Sequence, residues 1–228
     1  MKKTALILCC GLLACALAVA TTACTAGQKA PIEDASGEQG SNSMAADEGA
    51  AHVLPEKIRA MKDDIPPEDR LLEGEHITVS RSEAEEHMAQ NRAMGGEETM
   101  EDAIDFLTQR ETWYYQALAN GYSVTEQEVE DYIDMQMEFS SRASNRDQLD
   151  AYLDSLGMTE KEYWQSQKSV LEKELTTSKY TSALQQEFLE EEAFANPYSA
   201  EAQSVWQDYQ EALYQEFYEQ ENLTEVAP

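Results

Sequence analysis

The segment Ala117-Leu-Ala-Asn-Gly121-Tyr-Ser-Val-Thr125-Glu-Gln-Glu-Val129 contains the end of one predicted helix and the beginning of the next. Gly121 marks a C-terminal cap, because glycine tolerates the left-handed conformation that ends many helices. Thr125 and Glu128 have the spacing of a capping box, in which two side chains satisfy free backbone N–H groups of the first turn. The segment therefore predicts two helices joined by a short turn.

The same signals recur on both sides of this segment. Gly95-Gly96 and Gly157 occupy equivalent cap positions, and no proline interrupts the chain between Pro67 and Pro197. Further capping boxes are predicted at Ser80…Glu83, Asn145…Gln148 and Thr159…Glu162, with a weaker one at Thr99…Asp102. The predicted helices are Arg81–Met94, Met100–Asn120, Glu126–Arg142, Arg146–Leu156, Glu160 to about Glu192, and Ala200–Glu221. We therefore expect an all-α domain with one long helix and a C-terminal helix that packs back.

Apolar residues recur with the helical period inside these segments and predict their buried faces. The second helix has a stripe that includes Leu107, Tyr114 and Leu118, and Phe106 and Trp113 widen it. A helix that is apolar over so much of its circumference is expected to be central. The other predicted core faces are Val129, Tyr132, Ile133 and Phe139; Leu149, Tyr152, Leu153 and Leu156; and Trp206, Tyr209, Leu213 and Phe217.

Residues 1–24 have the features of an export signal. Lys2 and Lys3 precede an uncharged run from Ala5 to Ala20, and small residues then lead to Cys24. In bacterial lipoproteins such a cysteine is lipidated and becomes the new N-terminus. The pattern predicts a lipoprotein signal peptide, lipid attachment at Cys24 and an extracytoplasmic protein held to the cell membrane.

Two alternatives remain open for this segment. Cys15 has the tighter local match to a lipidation box, although it leaves a short apolar run before it. An uncleaved membrane helix over Thr4–Ala23 is the other alternative, since this run approaches the length that spans a bilayer. All four cysteines lie within the first 24 residues, so the exported body is expected to have no disulfide and no thiolate chemistry.

Composition divides the remaining chain into a tether and a domain. Residues 25–68 contain few large apolar side chains and predict a disordered acidic tether, and residues 69–228 predict the helical domain. The formal net charge is −29, and it becomes −31 when Lys2 and Lys3 are removed with the signal. A surface with this charge repels phosphate backbones, so nucleic acid is excluded as a partner.

Residues that would support catalysis or metal binding are sparse. Of the three histidines, His52 lies in the predicted tether and His76 lies in a predicted turn, and the pair of His87 with Glu83 four residues earlier does not by itself make a metal site. The body has no cysteine, and no serine lies in a G-x-S-x-G context. We therefore expect no cofactor and no metal, and a protein that is not an enzyme.

The order of these motifs resembles the SurA N-terminal domain of the SurA/PrsA foldases. Residues Ala117–Val129 look like the centre of that domain, where a helix ends at a glycine and the next begins at a Ser/Thr followed by acids. Leu149–Tyr163 is similar to its leucine-rich short helix, glycine turn and tyrosine-bearing long helix. Gly74–Ser80 resembles its opening turn. The resemblance extends over about Gly74–Tyr180.

This resemblance implies a chaperone that holds unfolded or exported polypeptides. A parvulin prolyl-isomerase domain often accompanies the helical part in the foldases. Only residues 193–199 separate the long helix from the last one here, so we expect no prolyl-isomerase activity. The alternative is a non-catalytic adaptor or assembly factor for one envelope protein. A domain-swapped homodimer is also left open.

Four side chains are candidates for client binding. Exposed methionine and tyrosine suit a surface that adapts to different apolar clients. Met135 and Met137 are expected to project away from the core face of the third helix, and Tyr214 and Tyr218 to lie beside that of the last helix. The alternative is that these four side chains pack against neighbouring helices.

Overall fold

The computed structural model describes residues 64–226, except for residues 94, 145, 193 and 195 and the side chain of residue 93. This part of the chain is mostly helical. Its seven α-helices are α1 (Arg81–Ala93), α2 (Met100–Ala119), α3 (Glu126–Ser141), α4 (Arg146–Leu156), α5 (Glu160–Ser166), α6 (Lys168–Glu191) and α7 (Ala200–Glu221). Its three short strands are β1 (Arg70–Glu73), β2 (Thr78–Ser80) and β3 (Thr224–Glu225).

Capping boxes begin three of the helices as the sequence predicts. Thr99, Thr125 and Thr159 each accept a hydrogen bond from the backbone N–H three residues later, and the acidic side chain at that position accepts one in return. The box at Thr99, predicted to be the weaker one, is complete. The one predicted at Asn145 lies outside the described residues. These boxes fix the starts of α2, α3 and α5.

Glycine lies just beyond the ends of α1, α2 and α4. Gly95, Gly121 and Gly157 have φ values of 85°, 80° and 66°, in the left-handed region. Since a side chain is strained in that region, glycine is required at these caps. Asn222 has φ 48° and ends α7 in the same conformation.

The predicted long helix is wrong in one respect, because it is broken at Gln167. α5 ends at Ser166 and α6 begins at Lys168. The Ser166 hydroxyl donates to the Tyr163 carbonyl over 2.7 Å, and the Gln167 N–H shares the carbonyls of several preceding residues. Side-chain bonds of this kind compete with the regular backbone ladder and bend helices.

A three-stranded antiparallel sheet, in the order β2-β1-β3, is the main feature that the sequence analysis does not predict. Its strands are too short to show a recognisable alternation of apolar residues. β3 comes from the opposite end of the described chain and pairs with β1, with Leu72 opposite Glu225. The sheet therefore joins the two ends of the described chain.

The core has three clusters, and α2 contributes to two of them. One lies between β2, α1 and α2, and another lies between α2, α6 and α7, which confirms the central position predicted for α2. The third lies under α3–α6 and contains Val129, Ile133, Leu149, Leu153, Tyr163, Trp164 and Leu171. The C-terminal helix packs back on the body through Leu213, Tyr214 and Phe217.

Three residues of the predicted core faces are exposed instead. Phe139 is 57% exposed, Leu156 is 43% exposed and Tyr209 is 36% exposed. The inner face of α3 near its end is formed by Met137 and buried Ser140. Phe139 is about 100° from Ser140 around the helix, and so it points outward.

Residues 64–68, which the sequence analysis assigns to the tether, lie against the body. The Arg70 side chain donates to the Ile65 carbonyl over 3.0 Å, and Asp69 accepts two bonds from Ser82. The rest of the predicted tether, the signal peptide and Cys24 lie outside the described residues.

Candidate functional site

A buried group of charges joins α1, α2 and α6. Glu111 has a side chain that is only 5% exposed, and it accepts bonds from Arg110 at 2.6 Å and 2.9 Å and from Lys173 at 2.9 Å on each oxygen. Glu83 on α1 lies 3.1 Å from Arg110 and 3.8 Å from Lys173. Two cations thus face two anions, which is the balance that buried charges require.

The charges of this group shift the pKa values of two glutamates, Glu111 and Glu174, in opposite directions. Burial alone would raise the pKa of Glu111, but Arg110 and Lys173 outweigh it and hold the pKa below its ordinary value. Glu174 has no such pair of cations to offset the effect of burial on its pKa. Burial raises the pKa of Glu174 from its ordinary value of 4.5 to about 7, and Arg110 only partly opposes this. Glu174 therefore changes charge near neutral pH.

Two cavities flank this group of charges. The larger has a volume of about 330 Å³, and the smaller has a volume of about 230 Å³ and includes Glu174. Glu83 lines both. The larger cavity is at the lower end of the size range of small-molecule sites. Three of its carboxylates are engaged: Glu83 binds Arg110, Glu111 binds Arg110 and Lys173, and Asp69 binds Ser82.

His76, on the wall of the larger cavity, forms a pair with a buried carboxylate. Its Nδ1 lies 3.1 Å from Oε1 of Glu221, and its ring stacks on Tyr115 with centroids 4.1 Å apart. The two serines that share this cavity bond elsewhere: Ser82 donates to Asp69 over 2.5 Å, and Ser80 donates to Glu83 over 3.1 Å. A Ser–His–carboxylate triad needs a serine bonded to the imidazole, and these residues do not form one.

The Glu83–His87 pair considered in the sequence analysis is replaced by a different one. His87 Nε2 lies 3.2 Å from Oε1 of Glu98, and its ring stacks on Phe106. Burial lowers the pKa of His87 below its ordinary value, although Glu98 opposes the shift. Within the part of the chain that the structure describes, no three His, Cys, Asp or Glu side chains converge as metal ligands.

The structure separates the four candidate client-binding residues. Met135 is 40% exposed on α3, and Tyr218 is 41% exposed on α7. Met137 packs against the cluster under α3–α6, and Tyr214 packs against the cluster between α2, α6 and α7. Met137 follows Ile133 by four residues and therefore lies on the same face of α3, so the expectation that it projects away from the core face is wrong.

A different set of exposed apolar side chains is found between residues 135 and 158. The large apolar side chains of the described chain that remain exposed are Met135, Phe139, Leu156, Met158, Tyr198, Val205, Tyr209 and Tyr218. Half of them belong to α3, α4 and the turn after α4. We call Met135, Phe139, Leu156 and Met158 the apolar end surface.

Glu160 connects the elements that form this surface. Its carboxylate accepts bonds from Ser140 at the end of α3 and from Arg146 at the start of α4, the latter over 2.7 Å. Phe139 adjoins Ser140, and Met158 is two residues before Glu160. The bonds of Glu160 therefore hold the end of α3, which carries Phe139, close to the turn that contains Met158.

Phe139, Leu156 and Met158 are not among the predicted client-binding residues. The available signal was helical phase: Phe139 is out of phase with Ile133 and Met137, and Met158 follows a glycine cap. Leu156 is in phase with Leu149 and Leu153, so its exposure reflects its position on the last turn of α4 and could not be anticipated.

Among the described helices, none has both the length and the apolar character needed to cross a bilayer. Comparison of the chain with profiles of known protein families, with curated proteins and with solved structures finds no match.

Proposed function

We propose that this protein is an extracytoplasmic lipoprotein that holds unfolded or exported polypeptides and has no prolyl-isomerase activity. The observation that supports this proposal is the apolar end surface. Four large apolar side chains stay in contact with solvent on a body that is otherwise rich in charged side chains. Exposed apolar groups of this kind are typical of surfaces that bind other polypeptides.

The chemistry of the surface suits a holding function. Two of its members are methionines, whose flexible side chains adapt to apolar partners of different shape. Phe139 offers a large apolar contact area beside them. The acidity of the chain keeps such a surface soluble.

A second candidate is a non-catalytic adaptor for one envelope protein. The small size of the apolar end surface favours it, since a general holdase needs a broad groove whereas a specific partner needs only a compact patch. The two candidates differ in client range, and a test with several unrelated denatured proteins separates them.

The experiment is aggregation suppression. The protein from Thr25 onward, which contains every described residue, is mixed with guanidinium-denatured reporter enzymes, and light scattering is followed on dilution. We expect suppression near equimolar ratio. In the double variant Met135→Ser/Phe139→Ser it should fall severalfold with helicity retained. Tyr198→Ser/Val205→Ser, which removes two exposed apolar side chains elsewhere, is the matched control.

Four outcomes would change the proposal. No suppression of any reporter would contradict general holding, and suppression of one native partner alone would favour the adaptor. Equal losses of aggregation suppression in the two double variants would show that the apolar end surface is not the site of holding. A prolyl-isomerase rate on a proline peptide would contradict the non-catalytic assignment.

Membrane attachment is tested separately. We expect the full chain to incorporate labelled fatty acid in a bacterial host, Cys24→Ser to abolish the label, and Cys15→Ser to retain it. The reverse pattern would assign the lipid to Cys15. An unlabelled chain in the membrane fraction would favour the uncleaved helix.

A further inference from the structure

The apolar end surface lies within a strongly acidic segment. Residues 126–162 contain 11 acidic and 3 basic side chains. Two of the basic side chains are used internally: Arg142 pairs with Glu138 at 2.6 Å, and Arg146 pairs with Asp150 and Glu160. The local charge is therefore negative and is not neutralised from within the segment.

On α3 the acidic and apolar side chains form adjacent rows. Met135 and Phe139 are four residues apart and share one side of the helix. Asp131, Asp134 and Glu138 form a parallel row that is about a quarter of a turn away, at roughly 100° per residue. All five side chains are exposed.

The acidic row on α3 has few partners within the described chain, and Asp131 accepts a hydrogen bond from the Gln127 side chain over 2.8 Å. Within the described chain, no cation lies within ion-pair distance of Asp131 or Asp134 on α3, or of Asp147 or Asp154 on α4. Glu138 has only Arg142, an exposed pair of the kind that contributes little to stability. A bound segment that supplies Lys or Arg would find unneutralised carboxylates next to apolar side chains.

We propose that the apolar end surface binds polypeptide segments in which apolar side chains alternate with Lys or Arg. This inference rests on the proposed holding function and names its client class. Apolar contacts with Met135 and Phe139 provide the common part of the affinity. The carboxylates of Asp131 and Asp134 provide selectivity, because complementary charges speed association and like charges exclude other segments.

The charge of the chain also argues against the other occupants of such a surface. A second copy would bring another row of carboxylates against the first, at a chain charge of −29. A bilayer with anionic headgroups would be repelled in the same way. A basic apolar segment has the complementary charge.

The experiment compares two synthetic peptides by fluorescence anisotropy. They share the same Leu and Phe positions and differ only in the Lys or Glu residues between them. We expect the protein from Thr25 onward to bind the Lys peptide about tenfold more tightly at low ionic strength, with most of the difference lost in high salt. Equal affinities would overturn the inference.

Charge-removing variants test whether the preference for the Lys peptide arises at the apolar end surface. In Asp131→Asn/Asp134→Asn/Glu138→Gln, the preference for the Lys peptide should fall severalfold. The control Glu201→Gln/Asp208→Asn/Glu219→Gln removes three exposed charges from α7 and should retain it. Equal preferences in both variants would show that overall charge, and not this surface, selects the peptide.

The outcomes also separate this inference from the proposed function. Aggregation suppression without a peptide preference would leave holding intact and overturn the charge selectivity. Absence of suppression together with absence of peptide binding would contradict both. A dimer that dissociates on Phe139→Ser, measured by sedimentation, would assign the surface to a second copy and overturn the inference.

Discussion

At the scale of single residues, the interface between α2 and α6 is unusually polar. It contains the Glu111–Lys173 ion pair and the buried threonines Thr108, Thr112 and Thr176. The hydroxyls of these threonines have no hydrogen-bond partner among the described residues. Glu174 on the same helix has a pKa raised to about 7 by burial. These buried polar groups therefore lower the free energy of unfolding below what an apolar interface would provide.

Replacement of Thr112 tests the cost of its hydroxyl. Thr112→Val keeps the shape of the side chain and removes a fully buried hydroxyl that has no partner. We expect the free energy of unfolding, measured by urea titration, to rise by about 1 kcal/mol. Thr112→Ser, which keeps the hydroxyl and loses the methyl group, should lower it. A destabilised valine variant would show that the hydroxyl is bonded.

The charge of Glu174 predicts a pH-dependent stability. The pKa of Glu174 in the folded state lies above its unfolded value of 4.5, so the folded state binds this proton more tightly than the unfolded state does. The stabilisation that results is fully present below pH 4.5 and is lost as the pH rises through about 7. Glu174→Gln should raise the free energy of unfolding by about 1–3 kcal/mol at pH 8 and change it little at pH 4.5. Glu191→Gln, an exposed site on the same helix, is the control. An equal effect at both pH values would contradict the assignment.

At the scale of elements, local signals specify the helices and long-range contacts specify the rest. The bounds of α4 and α7 match the predicted Arg146–Leu156 and Ala200–Glu221, and α2 and α3 end one residue earlier than predicted. Capping residues and glycines act within one turn, so the sequence displays them directly. The strands escape prediction because β3 acquires its partner only through closure of the chain.

The candidate site shows the same division. The exposure of Met135 follows from helical phase, which a sequence contains. The hydrogen bonds that Glu160 accepts come from Ser140 and Arg146, two residues of different helices that only the packed structure brings together. The division of Met137 and Tyr214 between two core clusters was not predicted for this reason: helical phase describes one helix and does not reveal which helices are neighbours.

The capping box of α3 gives a prediction at this scale. Thr125→Ala removes the hydroxyl that accepts from the Glu128 N–H over 3.2 Å. We expect a loss of about 1 kcal/mol in the free energy of unfolding and faster amide exchange in the first turn of α3. Thr125→Ser should retain most of the stability. Unchanged exchange in the alanine variant would mean that the helix start is fixed by packing alone.

At the scale of the whole molecule, the two ends of the described chain are fastened together. Glu221, at the end of α7, is fully buried and accepts from the backbone N–H of His76 over 2.8 Å and of Ile77 over 3.3 Å. β3 then pairs with β1. A Cβ at Gly74 would lie 2.9 Å from the Glu221 carboxylate, so glycine is needed for this close approach.

Loss of the hydrogen bonds between Glu221 and the turn at His76 and Ile77 should destabilise the entire fold. Glu221→Ala leaves buried backbone N–H groups of the turn without their acceptor, and we expect a loss of about 2–4 kcal/mol in the free energy of unfolding. Glu219→Ala, two residues earlier and exposed, should have an effect near zero. Protease cleavage near residue 222 should become faster in the first variant only. Equal stability of the two variants would contradict a role for Glu221 in closure.

The most direct test of polypeptide holding at the apolar end surface is site-specific photo-crosslinking. A photoreactive phenylalanine analogue replaces Phe139 in one sample and Tyr198, which is exposed outside the surface, in another. Each is irradiated with a denatured reporter enzyme. We predict a severalfold higher adduct yield at position 139 than at position 198, and loss of the adduct with the folded reporter. Equal yields at the two positions, or no adduct at position 139 while aggregation is suppressed, would contradict the account.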